Sequence, residues 1–172
     1  GKMNAILKEL DACTEKGGEM NFGKTGKKLG MHEFFLDWPT DGTKDAVSGT
    51  ALLILYAAQK LKECAGSAAD GATITSLNRK LSRYLTEKTA AKQIAAFQFF
   101  CGTTTDRQKA LLERGGASGF STFTSYFILK ALSATGNDRT NEIIKEYYGG
   151  MLSRGATTFW EDFDISWLDG SG

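Results

Sequence analysis

Apolar positions recur along this chain at the three-to-four-residue period of a helix, in seven stretches separated by glycine-rich turns. Asn4–Lys16 sets Ile6, Leu7 and Leu10 against Lys8, Glu9 and Glu15, and Gly17-Gly18 stops it. Glu19–Gly30 is rich in glycine and lysine and reads as loop. Met31–Thr43 is apolar and aromatic until Pro39 and Gly42 break it. Asp45 is placed to cap Ala46–Ala65, whose stripe is Val47, Ala51, Ile54, Leu55, Ala58 and Leu61. Thr73–Glu87 follows, with Ile74, Leu77, Leu81 and Leu85 on one face and Arg79, Lys80 and Arg83 towards water. Ala90–Cys101 is almost wholly apolar, so burial is expected. Thr105-Asp106-Arg107-Gln108 matches a capping box and starts a helix to Arg114. Phe120–Thr135 carries Phe120, Phe123, Tyr126 and Phe127 all round, which predicts a buried helix. Asn141–Leu152 is again amphipathic, through Ile143, Ile144, Tyr147, Tyr148 and Met151. No alternating pattern of useful length predicts a strand. The expected class is all-α, with about seven helices.

A length of 172 residues fits one domain, 1–172, with a core large enough to fold without staples. Twenty-one basic and 20 acidic side chains leave a net charge of +1. No basic patch stands out, and Lys24, Lys27 and Lys28 read as a solvated loop, so nucleic acid and anionic membranes are not expected partners. Cys13, Cys64 and Cys101 are odd in number and widely spaced, which argues against a disulfide framework or a zinc site and for buried thiols. There is no membrane-length apolar run and no signal-peptide pattern. The compartment is left open, a periplasmic or secreted parent included.

One stretch obeys neither core nor surface logic. Gly149–Asp164, GGMLSRGATTFWEDFD, passes two glycines and two threonines into Phe159, Trp160, Glu161, Asp162 and Asp164. Aromatic rings beside carboxylates suit carbohydrate: the sugar's apolar face stacks on a ring while carboxylates accept from hydroxyls or move protons. The other reading is an acidic turn anchored by a buried tryptophan. Glycine-rich aromatic segments also flank the apolar helices at Phe34–Trp38 and Gly116–Phe123. In a helical toroid such segments would gather at one mouth.

Gly149–Asp164, with Phe123, Tyr126, Leu129, Ala131-Leu132 and Gly136 before it, resembles the C-terminal half of the catalytic domain of inverting α-L-rhamnosidases. Gly155-Ala156-Thr157-Thr158-Phe159-Trp160-Glu161 is similar to that family's signature. Phe35-Leu36-Asp37-Trp38-Pro39-Thr40 and Lys44-Asp45-Ala46-Val47 resemble a second family segment. The resemblance implies part of an (α/α)6 toroid of six helical hairpins, and cleavage of terminal α-L-rhamnosyl residues with inversion. It implies Glu161 as the general base that activates water. Trp160, Trp38, Asp37 and Phe159 are then the residues around the sugar, with rhamnose-containing glycans or glycosides as partners and neither cofactor nor metal required.

The sequence also departs from that family. Its acidic Arg-Asp-Glu-Arg type segment, which supplies the general acid, has no counterpart here, so the acid is expected outside this chain. Asp37, Asp41 and Asp45 are the nearest substitutes, and each also suits a cap or turn. The family's histidine-bearing closing helix is absent too, and the single histidine is His32. Seven helices do not make twelve, so the chain is expected to be an incomplete portion of the toroid. It should be inactive alone and prone to self-association through faces exposed on Phe120–Thr135 and Ala46–Ala65. A noncatalytic helical carbohydrate-binding or scaffold domain is the alternative. Nucleotide enzymes are disfavoured by the absence of phosphate-loop and dinucleotide-binding glycine motifs. Metal enzymes lack a His/Cys cluster, which leaves only a calcium site at Glu161, Asp162 and Asp164 to consider.

Overall fold

A computed structural model describes residues 1–20, 35–40 and 42–169. Seven α-helices run through them: α1 (Lys2–Cys13), α2 (Gly42–Ala65), α3 (Gly71–Leu81), α4 (Lys92–Phe100), α5 (Asp106–Glu113), α6 (Thr122–Ala134) and α7 (Thr140–Ser153). Short 3-10 turns follow α2, α3 and the final loop, at Gly66–Ala68, Ser82–Leu85 and Ile165–Asp169. No strand occurs among the described residues; Thr14 and Met20 form an isolated bridge. The protein is all-α.

The apolar sequence of α4 explains its place. From Lys92 to Gln98 every residue is buried, and the helix packs on α2, α5 and α6. Ile94 and Phe97 enter a first core with Leu7, Leu52, Leu55, Ile74, Leu77 and Leu81. Ala95 and Ala96 enter a second with Leu112, Ile128, Leu132, Tyr147 and Phe163. Phe127 packs against both cores, and its ring meets Phe97 edge-on at 5.1 Å. Each fully buried Leu, Ile or Phe contributes about 1.5–3 kcal/mol by leaving water.

Helix starts follow the capping chemistry in part. Thr105 and Gln108 make the expected capping box on α5. Ser121 caps α6, its hydroxyl accepting from the Thr124 amide at 3.2 Å. Asp70, a cap the sequence reading passed over, accepts from the Thr73 amide and starts α3 earlier than expected. Asp45 is no cap: α2 begins at Gly42, and Asp45 lies in its first turn. α3 gives way to a 3-10 turn at Ser82 instead of continuing to Glu87. α1 ends at Cys13, short of Lys16, where Thr14 turns extended.

Three burial expectations are corrected. Lys80 is not simply solvated: its ammonium is 2.9 Å from the Asp11 carboxylate and donates to the Asp11 carbonyl, tying α3 to α1. Cys64 is exposed near the end of α2, whereas Cys13 and Cys101 are buried. α6 is not buried all round, because Phe123 and Tyr126 are 64% and 57% exposed. Of the three aromatics on the helix, only Phe127 faces the two neighbouring cores. Lys24, Lys27, Lys28, Met31–Phe34, His32 and Asp41 lie outside the described residues.

Candidate functional site

Two loops carry the candidate residues, and each is seated through a glycine on a helix. Leu36 lies so close over Gly49 of α2 that a Cβ there would stand 2.2 Å from a Leu36 methyl. Phe163 and Leu168 press on Gly150 of α7, where a Cβ would meet Phe163 ring carbons at 3.1 and 3.2 Å. Phe163 is fully buried, between Tyr147 at 5.5 Å, Trp160 at 5.8 Å and Trp167 at 5.9 Å between ring centres. Glycine inside a helix costs about 1 kcal/mol against alanine. Here it admits the loop that follows.

The first turn of α6 then holds both loops. The Thr124 hydroxyl donates to Oδ2 of Asp37. The Thr122 hydroxyl donates to the main-chain carbonyl of Trp160. Asp37 is only 5% exposed, and its other partners are the Gln93 amide at 3.0 Å and the Trp38 main-chain N–H at 3.1 Å. Gln93 also donates to the Gly119 carbonyl at 2.9 Å, so the loop before α6 shares the network. The Ser121 hydroxyl lies 3.0 Å from that of Thr124; since Thr124 donates to Asp37, Ser121 donates to Thr124. A buried carboxylate is stable because these donors replace its water.

Behind this layer, burial pushes the Tyr147 hydroxyl up to about 12, partly offset by the neighbouring Thr122 hydroxyl. The Tyr147 oxygen is buried and makes no hydrogen bond of normal geometry among the described residues. Tyr148 donates to Ser125 at 2.7 Å, because Ser125 itself donates to the Thr122 carbonyl at 2.9 Å.

The sequence-predicted residues divide between these positions. Phe159 is 73% exposed, edge-on to Tyr148 at 5.2 Å, and lines a cavity of about 330 Å³ with Tyr148, Met151, Leu152 and Thr157. Trp160 is half-buried on Phe163. Trp38 is 53% exposed, with its ring 5.0 Å from Phe35. Glu161 is exposed, and no hydrogen bond or ion pair engages its carboxylate among the described residues. The structure thus brings Asp37 and the Trp160 main chain to one helical turn. Trp38 and Glu161 do not line the Phe159 cavity.

Asp37 faces protein donors, so its direct effect is to hold Trp38. Sequence reasoning missed Gln93, Ser121, Thr122 and Thr124, which do the holding. The Ser-Thr-Phe-Thr run before an apolar helix was the available signal: hydroxyls there are free to cap or to grip a neighbouring loop. Asp164 turns the chain by accepting from the Ser166 amide at 2.8 Å. Among the described residues, no group of three or more His, Cys, Asp or Glu side chains is placed to hold a metal. No described helix is long and apolar enough to cross a membrane.

Set beside known proteins, the chain matches no family model, no curated protein and no solved structure.

Proposed function

We propose that this chain is part of an inverting glycosidase of the α-L-rhamnosidase type, within an (α/α)6 toroid, with the two loops on α6 forming one side of the sugar site. The observation that carries the reading is Glu161. Among the described residues several surface carboxylates are unengaged, Asp162 included, and Glu161 is set apart by its place directly after Trp160. Glu161 stays exposed and unengaged, one residue from a tryptophan whose own main chain is pinned by Thr122. A fixed loop with a free carboxylate is suited to take a proton from water.

In this mechanism Glu161 removes a proton from the water that attacks the anomeric carbon. The leaving oxygen takes its proton from an acid supplied outside this chain, about 6.5–9.5 Å from the base. One carboxylate cannot do both in a single inverting step, so the chain by itself binds without hydrolysing. Phe159 and Trp38 offer ring faces for stacking, Asp37 holds the loop that carries Trp38, and Trp160 stands directly beside the base with its main chain held by Thr122.

Titration of L-rhamnose into the protein, followed by calorimetry, tests the site. Binding weakened about tenfold or more by Phe159→Ala supports it, by analogy with the 1–3 kcal/mol that ring stacking contributes elsewhere. Binding unchanged in both Phe159→Ala and Trp38→Ala would remove the aromatic platform from the account.

A further inference from the structure

Three neighbouring hollows between α5 and the chain at Leu85–Gln93 share lining residues and form a trough. The first, about 300 Å³, lies between the chain at Leu85–Thr89 and the start of α5. The second, about 260 Å³, continues past Ala90 to Arg114. The third, about 200 Å³, ends at Pro39, Gln93 and Gly119. Leu111 lies in the floor of all three. The last hollow therefore reaches Gln93, the residue that holds Asp37, and Pro39, the residue after Trp38.

Two guanidinium groups line the trough, beside Lys92, which is already engaged by the Gly116 carbonyl. Arg107 borders the first and second hollows and Arg114 the second and third. Neither forms an ion pair with a described residue. Arg107 lies in the first turn of α5 and Arg114 is the extended residue just past its last turn, so the two stand roughly 10 Å apart along the helix. Asp106 and Glu113, one position before each, lie about 100° round the helix and do not line the trough. Lys88 adds a third positive charge at the first hollow. The acid there, Glu87, already accepts from Ser48 at 2.7 Å and has Lys44 at 3.9 Å. Unpaired guanidinium groups in a groove are the side chains best suited to carboxylate or sulfate, which they pair two hydrogen bonds at a time.

The geometry points to an anion-reading extension of the sugar site: the trough takes the part of an acidic saccharide beyond the residue bound at Trp38, whose neighbour Pro39 lines its third hollow. Arg107 and Arg114 pair with its charged groups at two separate units along the chain. The inference rests on the proposed carbohydrate site, and it makes the preferred ligand a uronic-acid-bearing glycan instead of a glycoside with a neutral aglycone.

Calorimetry with tetragalacturonate, its fully methyl-esterified form, poly-glutamate of similar charge and L-rhamnose tests it. Tetragalacturonate is expected to bind at least tenfold tighter than its ester, with affinity falling as salt rises. The double substitution Arg107→Gln/Arg114→Gln should weaken tetragalacturonate binding about 10- to 100-fold. It should leave L-rhamnose affinity and helical circular dichroism at wild-type values. Equal affinity for acid and ester, or an unaffected double variant, would overturn the trough while rhamnose binding still upheld the sugar site. Poly-glutamate bound as tightly as tetragalacturonate, with the same arginine dependence, would make this a peptide-binding groove and overturn the saccharide assignment. Failure of both rhamnose and tetragalacturonate to bind would overturn the inference and the proposed function together.

Discussion

The Thr124 hydroxyl donates to the Asp37 carboxylate, joining the first turn of α6 to a segment 87 residues earlier in the chain. Thr122, in the same turn, grips the Trp160 carbonyl 38 residues later. One short run therefore sets the positions of two loops that sequence alone could only propose as neighbours.

Thr124→Val removes a donor from a buried carboxylate without changing side-chain shape, and is expected to cost about 1–3 kcal/mol. Thr124→Ser, which keeps the hydroxyl, should cost less. Urea unfolding of the two variants beside wild type checks this. A loss in Thr124→Val no larger than in Thr124→Ser would contradict the weight given to this hydrogen bond.

Gly149 and Gly150 are adjacent in α7 but face different surroundings. A Cβ at Gly149 meets nothing within 4 Å, so Gly149→Ala should stabilise by up to about 1 kcal/mol through helix propensity. Gly150→Ala presses on Phe163 and Leu168, and is expected to lose that gain and shift the tryptophan signal in near-UV circular dichroism. The same spectral shift in both variants would contradict the seating of the loop on Gly150.

How much of this was legible in sequence follows from the range of the interactions involved. Helical periodicity, the Thr105–Gln108 capping box and the buried α4 are local or compositional, and all were readable. The exposed side of α6 was not. Phe123 and Phe127 are alike in sequence, and only the placement of two cores decides that Phe127 is covered and Phe123 is not. The segments at Phe35–Thr40 and Gly155–Glu161 could be picked out as unusual runs in the sequence, but not the Thr122 and Thr124 contacts that fix them. Arg107 and Arg114 are also ordinary surface residues in sequence, and become a pair only when the chain at Leu85–Gln93 lies alongside α5.

Lys92 should give stability a particular pH dependence. Its ammonium is buried, donates to the Gly116 carbonyl at 2.6 Å and lies 5.2 Å from the Phe120 ring centre. Burial pushes it down from 10.5 to about 8, against the pull of Glu146 and with a small push from Arg114. Between these values the unfolded chain holds more protons than the folded one, so stability rises with pH across that interval. The contribution is complete above about 10.5 and is lost as pH falls through about 8. Thermal unfolding of wild type and Lys92→Met from pH 7 to 10.5 should show the variant gaining on wild type as pH is lowered. A constant difference would place Lys92 at the ordinary lysine value.

The exposed Phe123 and Tyr126 lie on α6 one turn apart and give that helix an uncovered aromatic side. Light scattering across a wide concentration range should detect a dimer or larger species in wild type. Phe123→Ser/Tyr126→Ser should shift it to monomer. A wild-type monomer at every concentration would contradict association through this face.

The most direct test of the account is hydrolysis of p-nitrophenyl α-L-rhamnoside by the longest form of the protein, wild type beside Glu161→Gln. Loss of a positioned general base removes about 10²–10⁴-fold in rate. The account predicts a loss of that size, with inverted rhamnose as the wild-type product. Wild-type turnover that survives Glu161→Gln would contradict it.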